Sequence, residues 1–154
     1  MDKPSYVYVT YIVTTPEKVW EAVTDAKISA SHWERSNVSD WKVGSTWEHR
    51  FPDRPADVVG KVLEADPPRR LVTTWAAPST QADPDQVSRV AIDIEALGGK
   101  VRVTVTHTDL NAQSLKDISE GWPAVLSNLK SLLETGRTMP DPFSGVHNHP
   151  EREA

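Results

Sequence analysis

SLKDISEGWPAVLSNLKSLLETG, residues 114–136, reads as one long amphipathic helix. Leu115, Ile118, Trp122, Val125, Leu126, Leu129, Leu132 and Leu133 recur at three- and four-residue steps and form one broad apolar stripe that another element must cover. Lys116, Asp117, Ser127, Asn128, Lys130 and Glu134 are assigned to the water-facing side. Ser114, with Asp117 three positions on, approximates a capping box, and Gly136 suits a left-handed C-terminal cap. Pro123 removes a backbone donor and crowds the carbonyl four residues back, so a kink or fresh start is expected near Gly121 and Trp122. Unbroken, such a helix is on the order of 30 Å long, enough to cross a small domain.

The rest of the chain has to supply the cover. It has 154 residues, of which 38% are hydrophobic, and fits one domain large enough to hold an internal pocket. With no cysteine there is no disulfide, thiolate nucleophile or cysteine-based metal site, and a reducing cytoplasm is the natural compartment. No apolar run approaches the ~20 residues needed to span a bilayer, and MDKPSYVYVTY carries no signal-peptide core, so neither membrane insertion nor processing is expected. The net charge of −5 and the lack of a Lys/Arg cluster argue against nucleic acid; Arg69-Arg70 reads as a solvated turn.

Residues 6–14 are aromatic and β-branched without a breaker and give a first strand, with both faces expected to be partly covered. Thr15-Pro16-Glu17 starts a short helix with Val19, Trp20 and Val23 on its buried stripe, and a second brief helix covers Ile28 to Trp33. After a polar link, residues 45–51 alternate with Trp47, His49 and Phe51 on one face. Residues 58–65 form the next strand, ended by Asp66-Pro67-Pro68. Residues 71–75 place Leu71, Thr73 and Trp75 together, and APSTQADPDQ follows as a polar loop expected to be flexible. Residues 89–95 point Val90, Ile92 and Ile94 inward, and Gly98-Gly99 turns the chain into residues 101–108, where Val101, Val103, Val105 and His107 share a face.

Strand, two short helices, a run of hairpin-linked strands and one long helix define an α+β fold: a curved antiparallel sheet of about six strands wrapped around the C-terminal helix. One helical stripe can meet the inward residues of many strands only if the sheet curls around it. Residues 1–138 make this single domain, and residues 139–154, with Pro140, Pro142 and Pro150 and no period, read as an extended or disordered tail. His147 and His149 lie in that tail with no third ligand and do not make a metal site.

The order of motifs resembles the START-like, helix-grip (SRPBCC) superfamily, and within it the homologues of the activator of the heat-shock-protein-90 ATPase. The resemblance runs from Tyr6 to Gly136. It is carried by Thr15-Pro16-Glu17-Lys18-Val19-Trp20, Asp40-Trp41-Lys42-Val43-Gly44, Gly60-Lys61-Val62-Leu63-Glu64, Pro67-Pro68-Arg69-Arg70-Leu71 and Thr74-Trp75. Val103-Thr104-Val105-Thr106-His107 and Gly121-Trp122-Pro123, with Leu126, Leu129, Leu133 and Gly136, complete it. Ser45 stands where relatives commonly have a second Gly, and Glu34-Arg35 where an apolar or Gly pair is usual, a departure that falls at the pocket entrance.

Such a resemblance implies a hydrophobic cavity between sheet and helix that takes small apolar or amphipathic molecules. The expected lining is Trp33, Trp47, His49, Phe51, Val62, Thr73, Trp75, Ile92, Ile94, Val103, His107, Trp122, Val125, Leu126 and Leu129. Six tryptophans supply the surface, as pocket wall or as solid core, and His49 and His107 are either hydrogen-bonded core groups or polar handles on a ligand. No nucleophile motif, metal-spaced set or phosphate-cradling loop is present, and no cofactor is expected. A non-catalytic binding protein for a small hydrophobic ligand is therefore the leading reading. The resemblance also implies two alternatives, a co-chaperone-like protein that docks on a heat-shock ATPase and a polyketide cyclase/dehydratase-like enzyme. Pairing into a homodimer is compatible with it too.

Overall fold

The computed structural model describes residues 3–144 and 146. Seven strands form one antiparallel sheet: β1 (Tyr6–Ile12), β2 (Ser36–Val38), β3 (Thr46–Arg50), β4 (Val58–Asp66), β5 (Arg70–Trp75), β6 (Ser88–Leu97) and β7 (Lys100–Thr108). Their order is β1-β7-β6-β5-β4-β3-β2, so β1 closes the circuit beside the last strand rather than its sequence neighbour. Helices α1 (Pro16–Thr24) and α2 (Ala26–Trp33) fill that crossover, and α3 (Ala112–Thr135) lies in the concave face of the curled sheet. This is the expected α+β helix-grip architecture.

Local chemistry sets each boundary. Thr15 accepts from Lys18 N at 3.3 Å and Pro16 opens α1; Asp25 accepts from Lys27 N and Ile28 N and starts α2 without a linker. Gly98 and Gly99, both with positive φ, make the two-residue turn that sets β6 against β7, with Leu97 facing Lys100. An extra residue, Leu63, breaks the register between Val62 and Glu64 in β4, a bulge that increases local twist.

Several sequence expectations change. β2 falls in what reads as a polar link, too short and polar to show a period, yet its Asn37 is buried. β1 is covered on one face only: Val7, Val9 and Tyr11, and Val13 just beyond it, are exposed, because the helix packs on the concave face of the curled sheet and leaves this face bare. The APSTQADPDQ loop holds two short 3-10 turns, Pro78–Thr80 and Pro84–Gln86. α3 begins earlier than expected, capped by Asn111 accepting from Ser114 N at 2.8 Å, and runs through Pro123 as a single helix of 24 residues. Asn128 is buried, not solvated: it donates to His32 O and accepts from Met139 N, each at 2.7 Å. The start of the tail is not extended, since Phe143 is buried in the core and Val146 packs against it. The rest of the tail, with His147 and His149, lies outside the described residues.

The core is one cluster. Trp122, Val125, Leu126 and Leu129 of α3 meet Val62, Leu71, Val90, Ile92, Ile94, Val101, Val103 and Val105 of the sheet, with Val19, Ala22, Val23 and Trp33 closing the end nearest the short helices. At about 1.5–3 kcal/mol per large apolar side chain removed from water, this helix-to-sheet contact is a leading stabiliser of the fold.

Candidate functional site

Aromatic rings from four elements converge where α3 meets the β3–β5 region. Trp122 of α3 lies 5.4 Å from Trp33 of α2 and 5.7 Å from Trp75 of β5, and Trp75 lies 5.5 Å from Trp47 of β3. His49 sits edge-on to Trp33 at 4.6 Å. Such tilted and edge arrangements are the favourable ones for π-systems. The space they leave is about 20 Å³, room for one water molecule. Trp47, Thr73 and Ile92 border this void together with Trp33, Trp75 and Trp122. The interior behind α3 is thus filled by indoles rather than hollow.

The free volume lies further out. A cleft of about 280 Å³, open to solvent on one side, runs between the N-terminal half of α3 and the β3–β5 surface. Trp33, His49, Trp75, Trp122 and Val125 line it, as do Val58, Ile118, Gly121 and Phe143. Phe51, Val62, Ile94, Val103, His107, Leu126 and Leu129 line neither space; they are core residues. The expected lining left out Asp117, Ile118 and Gly121 of α3, and also Asp57, Val58, Phe143 and Val146, the last four coming from loops, a strand start and the tail, where no period marks an inward side. Arg35 was visible only as a departure at the pocket entrance.

The polar groups around the cleft have defined partners. Arg35, almost fully buried, pairs with Asp57 at 3.2 Å and lays its guanidinium 4.4 Å from the Phe51 ring centre, where Arg54 also stacks at 4.3 Å. Asn37 donates Nδ2 to Val23 O at 2.8 Å, which turns its Oδ1 toward His49 Nδ1 at 2.6 Å. The imidazole therefore carries its proton on Nδ1 and is fixed in one orientation against Trp33. A second, more polar depression of about 350 Å³ shares Asp57, Val58, Trp75, Asp117 and Ile118 with the cleft and extends it toward Asp85 and Asp109. One end of the combined groove is aromatic and the other acidic.

His107 is committed elsewhere. Trp122 Nε1 donates to its Nδ1 at 3.1 Å, and its Nε2 lies 2.7 Å from Ser88 Oγ, which in turn donates to Trp75 O at 3.1 Å. Burial holds the imidazole neutral, with its pKa pushed down to about 4. Both ring nitrogens are spent on core bonds, so His107 is a hydrogen-bonded core group. Burial likewise lowers His32, whose Nε2 meets Ala22 O at 2.9 Å. Among the described residues no group of His, Asp and Glu is arranged to hold a metal ion, and no helix is long and apolar enough to cross a membrane.

A curled antiparallel sheet gripping a C-terminal helix, with an aromatic cleft at the mouth of the grip, defines a helix-grip domain. The chain belongs to the family described as Activator of Hsp90 ATPase homolog 1-like protein, whose model matches residues 13–134. Solved structures agree on the fold. The Aha1 dimer from Colwellia psychrerythraea superposes with a TM-score of 0.72 at 21% identity, covering 86% of this chain and 98% of that one. CalU16 from Micromonospora echinospora gives 0.69 at 21% identity over 86% and 77%. An HSP90 activator from Plasmodium falciparum gives 0.60 at 21% identity over 87% and 89%. No curated protein matches the chain.

Proposed function

We propose that the protein binds a small apolar or amphipathic molecule in the cleft between α3 and β3–β5 and does not transform it. The cleft itself carries this reading: at about 280 Å³ it is roughly twice the ~150 Å³ that accommodates benzene, and indoles and aliphatic side chains dominate its walls. Its aromatic end suits a planar ring system of about two fused rings, and the Arg35–Asp57 pair and Asp117 at the rim suit a polar substituent. Among the tryptophans, Trp41, Trp47 and Trp122 donate their indole N–H to groups in the protein. Trp33 and Trp75, the two others in the cleft wall, have no such bond among the described residues and remain available to a ligand acceptor.

The test is a fluorescence titration. A panel of bicyclic phenols and naphthyl compounds should quench the tryptophans saturably, with the response weakened in Trp75→Phe. Absence of saturable quenching across such a panel defeats the reading. A second reading, docking on a heat-shock ATPase, draws support from the family and from the HSP90 activator among the structural relatives. It predicts stimulated turnover of the purified ATPase, whereas ligand binding alone leaves turnover unchanged. The relative solved as a dimer gives a reason to measure mass in solution during the same experiments.

A further inference from the structure

The chain does not leave the domain when α3 ends. After the left-handed cap at Gly136, Arg137 O accepts from Ser131 Oγ at 2.7 Å and from Thr135 Oγ1 at 3.2 Å. Met139 N then donates to Asn128 Oδ1, and Asn128, fully buried, also reaches α2 through His32 O. Two local bonds close a turn beyond it, Ser144 N to Asp141 O and Val146 N to Phe143 O, both at 3.1 Å. The outcome is that Phe143, only 4% exposed, and Val146 enter the wall of the cleft beside Trp122 and Trp33.

Two observations separate this strap from the rest of the site. The family match stops at residue 134, before the strap begins. The strap also contributes a phenyl ring, the kind of group the cleft's aromatic walls would take from a ligand. We infer that the segment from Arg137 to Ser144, with Val146, is a built-in plug: Phe143 closes one side of the ligand cleft from within the chain, and a ligand gains full access by displacing it. The inference rests on the proposed reading of the cleft as a binding site.

Displacement reduces apparent affinity by the fraction of molecules with the strap released. Burial of one phenyl ring is equivalent to roughly one to two decades in an equilibrium constant, so removing the ring should tighten binding about ten- to a hundredfold. The probe is 8-anilinonaphthalene-1-sulfonate, titrated into the full chain and into Phe143→Ala, each first shown to keep its near-ultraviolet circular dichroism. Hydrogen exchange at the Ser144 and Val146 amides of the unaltered chain is followed with and without dye, which needs no variant to fold. Tighter binding by Phe143→Ala, with faster exchange at those amides when dye occupies the unaltered chain, supports the plug. Equal or weaker binding by the variant, with exchange unchanged or slowed, makes Phe143 a fixed wall; the plug is overturned while the cleft remains a ligand site. Failure of both proteins to bind dye overturns the plug and the cleft reading together.

Discussion

The indole N–H of Trp122 points into Nδ1 of His107 at 3.1 Å, joining the helix to the sheet by a polar bond within the core. The bond exists only while the imidazole is neutral, because a protonated ring has no acceptor. Its pKa, lowered to about 4 by burial, means that the unfolded chain takes up this proton first as pH falls. Stability from this group is complete above the unfolded value near 6.5 and is lost between there and about 4. The expected loss is on the order of 3 kcal/mol over that window. His32, also lowered, acts in the same direction. Urea unfolding at pH 7, 6, 5 and 4.5 should show this fall, and His107→Gln should flatten it by about one proton. An unchanged pH slope in that variant would disprove the assignment.

Gly60 is a steric requirement. It faces Trp47 across the β3–β4 pair, and the Trp47 indole reaches over to donate to Thr74 O at 2.8 Å. A Cβ at position 60 would stand 2.0 Å from Thr74 O and 2.5 Å from Trp47 Nε1. Backbone cannot yield that much, so Gly60→Ala must expel the indole or separate β4 from β5. The cost expected for such overpacking is about 1–3 kcal/mol or more, read as a lower urea midpoint with a red-shifted tryptophan spectrum. A variant with wild-type midpoint would refute this account of the glycine.

The fold was legible because its evidence is periodic and local. The stripe from Ile118 to Leu133, the alternation around Trp47 and His49, and Gly98-Gly99 each encode one element, and their order leaves few ways to pack. The cleft was less legible. Trp33, His49, Trp75, Trp122 and Val125 could be found because inward-facing residues are shared by core and pocket, but the same pattern also gave Val62, Val103 and Leu129, which pack solidly. Periodicity states which side is covered; it does not state whether a neighbour fills the space. Asn128 shows the converse, a polar residue whose burial depends on two backbone groups far along the chain, His32 O and Met139 N. Phe143 depends on a turn with no period at all.

The exposed edge of β1 is guarded at one end. Lys130 Nζ donates to Tyr11 O at 2.5 Å, and Glu134 accepts from Val13 N at 2.8 Å while pairing with Lys130 at 2.7 Å. These side chains satisfy backbone groups that would otherwise template another strand. With Val7, Val9 and Tyr11 exposed beside them, loss of the guard should favour edge-to-edge pairing. Lys130→Ala/Glu134→Ala is expected to sediment with a concentration-dependent increase in mass relative to the parent chain. Identical sedimentation up to the highest soluble concentration would show that the guard has no such role.

Gly121 is the opposite case from Gly60. It lies within α3, where glycine costs roughly 1 kcal/mol against alanine, and a Cβ built there meets nothing within 4 Å. No clash forbids a side chain, so the missing atoms correspond to open space, and Gly121 lines the cleft. Two outcomes should therefore separate. Gly121→Ala should raise stability by about 0.5–1 kcal/mol through helix propensity alone. Gly121→Leu should retain most of that gain yet place four carbons where a ligand would sit, weakening tryptophan quenching by the bicyclic panel at least tenfold. Stability and binding moving together would mean that Gly121 acts on the fold. Stability rising while binding falls would mean that the glycine holds the cleft open at a cost to the helix.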